Sequence, residues 1–171
     1  MKIRSSIPQS GTAGFSLLEL MIACSVLAVG ILGGMGVICA ASASNGSSKL
    51  NTAGATLAES TMERILAVPQ NGTTGTTDCQ GNNFAISTAP GGSGLTGGLF
   101  PGVDYTQPAV PNYSMTYITC AGLAFDVRWN VAAGPTPSTQ LVTVSIKSLA
   151  NAANPAAVLA RKFTLHSLRG N

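Results

Sequence analysis

Between Phe15 and Ala43 the only charged side chain is Glu19, in a chain of 171 residues of which 9% are charged. A carboxylate near the start of a long apolar run needs a chemical reason. On insertion scales an acid at the bilayer centre costs about 2.5–3.5 kcal/mol, and ionisable groups kept there usually have a partner. The four cysteines are the next candidates. Cys24 and Cys39 lie inside the apolar run, while Cys79 and Cys120 lie in the polar remainder. If the polar part is exported, Cys79 and Cys120 are natural disulfide partners. The chain-entropy model assigns roughly 4 kcal/mol to closing a loop of about 40 residues. Cys24 and Cys39 would stand about 22 Å apart along one helix and cannot pair within it. They read as small apolar filler.

Enzyme chemistry is not visible. His166 is the single histidine, close to the C-terminus, and reads as a satisfied or exposed imidazole rather than a general base. No metal-spaced His/Cys group and no phosphate-cradling Gly-Lys-Ser/Thr motif occurs. Asp78, Asp104 and Asp126 could ligate calcium from a loop, but their spacing matches no ligand motif. No catalytic residue, metal site or cofactor is expected. The net charge of +3 includes Lys2 and Arg4, ahead of the apolar run, and the rest is near neutral. Without a Lys/Arg cluster and interleaved aromatics, no nucleic-acid partner is expected. The tripeptides at Asn45, Asn71 and Asn112 match the glycosylation acceptor, a pattern too common in a Ser/Thr-rich chain to decide anything.

The elements that position these residues follow from periodicity. The apolar run exceeds the roughly 20 residues that span a bilayer as a helix. Lys2 and Arg4 on its short leading side predict a cytoplasmic N-terminus and an exported C-terminal part. A cleaved signal peptide is the alternative, with "AASAS" near Ala43 imitating a cleavage site, but signal cores run about 7–15 residues. A plain anchor, with Glu19 incidental, is another. After Ser48, Leu50, Ala53, Leu57, Ala58, Met62 and Ile65 fall mostly on one helical face, with Lys49, Glu59 and Glu63 opposite. Pro69 forbids regular continuation, so one helix from about Phe15 to Val68 is predicted. Gly30, Gly33, Gly34 and Gly36 permit close helix contact in membranes, and each weakens the helix by up to about 1 kcal/mol relative to Ala.

Residues Gln70 to Asn112, rich in Gly, Thr, Pro and Asn, read as a long loop with short ordered pieces, which a Cys79–Cys120 bridge would tie to the first strand. Four strands are predicted after it: "SMTYIT" from Ser114, "AFDVRWNV" from Ala124, "LVTVSIKS" from Leu141 and "VLARKFTLH" from Val158. Phe125, Val127, Trp129 and Val131 alternate with polar neighbours, as do Val142, Val144 and Ile146. Short turn-rich connectors favour an antiparallel meander. The fold class is α+β: a small antiparallel sheet laid against the amphipathic half of a long N-terminal helix.

A short basic leader ending in Gly14, then Phe15, then "SLLELMIACSVLAVGILG" with an acid four positions after the Phe, resembles the prepilin signature of type IV pilins and type II secretion pseudopilins. The resemblance implies a prepilin peptidase that cuts after Gly14 and N-methylates Phe15. It implies that Glu19 neutralises the terminal amine of an adjacent subunit during filament assembly. Desolvation offsets much of that attraction, so the pair would set register more than add stability. It implies the pilin ladle fold, with the apolar half of the helix protruding. The segments would then be a leader (1–14), a transmembrane and filament-core half-helix (15–48), an amphipathic half-helix (49–68) and an exported head (69–171). Partners would be the peptidase, other pilin subunits and, before assembly, the bacterial inner membrane with the N-terminus in the cytoplasm. The final location would be an extracellular filament. Where many major pilins carry a proline, this chain has Gly30, Gly33, Gly34 and Gly36, which allows local extension in a fibre. "VLAVGILG", "LNTAGATLAESTMERILAVP" and "VRWNV" followed by "VTVSI" are similar to PilV-like minor pilins, the last pair also to GspI-like pseudopilins. The function so implied is that of a minor pilin, with roles in assembly, adhesion and twitching motility. The alternatives are a minor type II secretion pseudopilin and a membrane-anchored periplasmic enzyme or binding domain.

Overall fold

The computed structural model describes residues 16–98, 100–136, 138–149 and 162–170. Gly14 and Phe15 lie outside the described residues. Helix α1 spans Leu17–Ala67. Its sequence is rich in Ala, Leu and Met, which lose little side-chain freedom in a helix. The hydroxyls of Ser25, Thr52, Thr56 and Thr61 donate to carbonyls four residues back, at 2.8–3.0 Å. The helix stops two residues before Pro69, whose carbonyl accepts the Gly72 N–H at 3.1 Å in the turn that follows.

Contacts divide the chain into two compact units, Met1–Ser42 and Ala43–Asn171. In the first, every described residue is exposed. Within the second, α1 buries Leu50, Gly54, Ala58, Thr61, Met62 and Ile65, a stripe at three- and four-residue spacing. A Cβ on Gly54 would stand 3.5 Å from Phe125 and 4.0 Å from Ile146, so the glycine lets the helix lie close to the sheet.

Among the described residues seven strands follow: β1 Thr73–Thr77, β2 Asn83–Ser87, β3 Gly91–Gly92, β4 Ser114–Ile118, β5 Ala124–Ala133, β6 Thr139–Ser148 and β7 Phe163–Gly170. β1 and β2 form a two-stranded antiparallel hairpin. The second sheet runs β3-β5-β6-β7, and β4 pairs the same edge of β5 as β3, at different residues. β4 to β7 are an antiparallel meander, with Trp129 opposite Val144 and Val127 opposite Ile146. Phe125, Val127, Trp129, Val131, Val142, Val144 and Ile146 form the core with the helix residues. The architecture is α+β, a long N-terminal helix with antiparallel sheets.

Two expectations are refined. The segment 70–112, expected as a long loop with short ordered pieces, holds the β1/β2 hairpin and β3 as those pieces. "TTGTT" lacks large apolar residues, yet its threonines are β-branched and Ile86 opposite Thr74 is fully buried. β3 exists because Gly92 has φ 121° and its missing Cβ would meet the Trp129 carbonyl at 2.5 Å, which only glycine permits. Among the described residues the last strand starts at Phe163 and continues past His166 through "HSLRG", because β6 begins at Thr139 and offers partners as far as Gly170. Residues 158–161 lie outside the described residues.

The outer face of the sheet is also covered in part. Thr143 and Ser145 point away from the helix but are each only 1% exposed. The Gly/Pro-rich segment before β4 crosses them, with the Val103 N–H donating to Ser145 Oγ at 3.1 Å.

Candidate functional site

Glu19 stands in the first turn of α1, where a carboxylate interacts favourably with the positive end of the helix dipole. It is exposed and makes no hydrogen bond or ion pair with another described residue. Around it Leu17, Leu18, Leu20, Met21 and Ile22 are between 57% and 77% exposed. Farther along, a Cβ added to Gly30, Gly33, Gly34 or Gly36 would meet nothing within 4 Å. Cys24 and Cys39 are free and exposed. α1 is long and apolar enough to cross a membrane. So large a continuous apolar surface marks a site of contact with lipid or another protein.

In the second unit Cys79 and Cys120 are joined by a disulfide, with Cα atoms 5.0 Å apart and a sequence separation of 41. Cys79 lies in the β1–β2 turn and Cys120 follows β4, so the bridge ties the hairpin to the main sheet. The Cys79 N–H donates to the Ile118 carbonyl at 3.2 Å. Beside it, Asp78 accepts from the N–H groups of Gln80 and Asn82 at 2.9 and 2.8 Å and from Asn82 Nδ2 at 2.9 Å. Burial pushes this carboxyl up, but the Asn82 and Gln80 hydrogen bonds outweigh it and hold the group below its ordinary range.

The three aspartates do not converge. Asp104 accepts from the Thr106 hydroxyl and N–H at 2.6 and 2.9 Å, which lowers its pKa, and Asp126 pairs with Arg128 at 2.9 Å. No group of three or more His, Cys, Asp or Glu side chains among the described residues could hold a metal ion. His166 Nδ1 shares a 3.2 Å hydrogen bond with the Thr143 hydroxyl, a structural contact.

One cluster has no counterpart in the sequence reading. The Tyr105 ring has Arg128 Cζ at 4.8 Å from its centroid, Lys162 Nζ at 5.2 Å and Lys147 Nζ at 5.8 Å. The Tyr105 hydroxyl donates to the Asp126 carbonyl at 3.1 Å. Burial, and then the Asp126 charge, push the phenol well above its ordinary pKa. These residues are tens of positions apart, so no local charge pattern reveals them. The available signal was alternation: Asp126 and Arg128 share the outward face of β5, and Lys147 lies opposite Asp126 on β6.

Compared with known proteins, the chain matches no curated sequence and no solved structure. Residues 9–35, a span that holds Gly14, Phe15, Glu19, Gly30, Gly33 and Gly34, match a family model, and the chain carries there the prokaryotic N-terminal methylation motif.

Proposed function

We propose that this chain is a PilV-like minor pilin of a type IV pilus. One observation carries the reading: the methylation motif coincides with the start of a helix whose described residues before Ala43 are all exposed and, Glu19 apart, uncharged. Such a surface requires a bilayer before assembly and neighbouring helices after it. Prepilin peptidase removes residues 1–14 after Gly14 and methylates Phe15. Residues 15–48 then serve as membrane anchor and filament core, 49–68 as the packed half-helix, and 69–171 as the exported head. The new amine at Phe15 is four residues before Glu19 in the sequence, and the carboxylate pairs with the corresponding amine of a neighbouring subunit, setting register. Gly30, Gly33, Gly34 and Gly36 admit close helix approach or local extension in the fibre. The role is non-enzymatic and needs no cofactor; priming assembly, adhesion and twitching motility are its expected outputs.

The test is the N-terminus of the native protein, read by mass spectrometry of inner-membrane and sheared-fibre fractions. An N-methylated Phe15 is expected, and a start near Ser44 would overturn the reading in favour of a cleaved export signal. Recovery in long surface fibres separates a pilin from a pseudopilin confined to a periplasm-spanning stub.

A further inference from the structure

We propose that the Lys147–Lys162–Tyr105 cluster on the outer face of the sheet is a binding site for carboxylate-bearing polymers, the acidic polysaccharides built on uronic acids. The inference does not depend on the pilus reading.

The argument begins with register. Asp126 and Lys147 are directly opposite on β5 and β6, a placement that ordinarily joins an acid and a base across the strands. Asp126 does not take that partner. Both of its oxygens face Arg128 on its own strand, with Arg128 Nε at 3.0 and 3.1 Å and Nη2 at 2.9 Å. Arg128 Nη1 continues to the Gln107 carbonyl at 2.8 Å, and the Tyr105 hydroxyl holds the Asp126 carbonyl. Arg128 and Asp126 are therefore consumed in clamping the 105–107 segment onto the sheet. Asp104, the other nearby acid, is hydrogen-bonded to Thr106; its charge also acts on Lys162, but at a distance and without an ion pair.

Lys147 and Lys162 remain. Each ammonium lies within 6 Å of the same ring centroid, and neither has an ion-pair partner among the described residues. Both residues are exposed. Two like charges drawn to one aromatic ring repel each other, and an arriving anion relieves that repulsion while the ring fixes where the ammoniums stand. Lysine is a compact point charge, suited to a carboxylate presented at variable angle. Three cations already attend the Tyr105 ring and its hydroxyl is bonded inward, so the ring is poorly available as a platform for a nucleobase. Single-stranded nucleic acid binds through such free platforms. A pair of exposed charges binds a single small anion weakly, and repeated carboxylates along one chain raise the effective concentration.

The experiment uses the full chain in neutral detergent micelles, with immobilised polygalacturonate as probe, neutral dextran as blank and single-stranded DNA as competing polyanion. Wild type is expected to bind polygalacturonate and not dextran. The double substitution K147Q/K162Q should weaken binding by about tenfold or more. K49Q, an exposed lysine on α1 outside the cluster, should leave it unchanged. Y105L, which removes the ring but no charge, should weaken binding by severalfold. Near-ultraviolet circular dichroism of Trp129 verifies that each variant keeps the wild-type core. Equal binding by wild type and a correctly folded K147Q/K162Q would overturn the proposal, as would an equal loss in K49Q. Tighter binding to DNA than to polygalacturonate would overturn it in favour of a nucleic-acid site.

Discussion

Arg169 Nη1 donates a 2.9 Å hydrogen bond to the carbonyl of Ile65, joining the end of β7 to the last turn of α1 across 104 residues. Arg169 is 8% exposed, and the acceptor is one of the terminal carbonyls that an α-helix cannot satisfy internally. The guanidinium also sits at the negative end of the helix dipole. Arg169, the last residue but two of the sequence, thus caps a helix that begins at Leu17.

Replacing Arg169 with Met keeps much of the aliphatic volume but strands the Ile65 carbonyl. A loss of about 2 kcal/mol is expected. Chemical denaturation followed by Trp129 fluorescence measures it, and an unchanged midpoint would remove the cap from the account.

At Gly54 two substitutions should have opposite signs. Gly54→Ala places its Cβ in ordinary contact with Phe125 and improves helix propensity, so stability should rise by about 0.5–1 kcal/mol. Gly54→Leu drives a larger side chain between α1 and β5 and should cost about 1–3 kcal/mol. Thermal midpoints of the two variants, compared with wild type, decide it.

Opening the Cys79–Cys120 bridge frees the β1/β2 hairpin from the end of β4. The loop-entropy relation sets the effect at roughly 4 kcal/mol. The double substitution to Ser should lower the denaturation midpoint, and reductant should lower that of wild type but not of the variant. A reductant-insensitive wild type would contradict the staple.

Acid should weaken the same region. Hydrogen bonds depress the folded-state pKa of Asp78, so its contribution is present above the unfolded carboxylate pKa and is lost as pH falls through the folded value. Stability should therefore decline below about pH 4. Asp78→Asn should flatten part of that decline, as measured by thermal midpoints across the acid range.

Glu19→Ala tests the proposed assembly role separately from the fold. Cleavage after Gly14 should proceed, while the variant should be lost from sheared fibres and retained in the inner membrane. Wild-type abundance in the fibres would show that the carboxylate has no role in register.

What depends on local period is legible in the order of the residues. The stripe Leu50, Ala58, Met62, Ile65 repeats near 3.6 residues, and Phe125, Val127, Trp129, Val131 near 2, because each pattern records one buried face of one element. The apolar run and the methylation motif at residues 9–35 were legible for the same reason: all their information lies in adjacent positions. What required distant residues to meet was decided by tertiary structure alone. The β1/β2 hairpin has little apolar signal of its own and owes its place to the burial of Ile86 in the main core. The cover over Thr143 and Ser145 depends on where a Gly/Pro-rich segment lands. The Arg169 cap and the convergence of Arg128, Lys147 and Lys162 on Tyr105 depend on strand register. Register follows from matching the buried faces of whole strands, and no single stretch of chain contains that match.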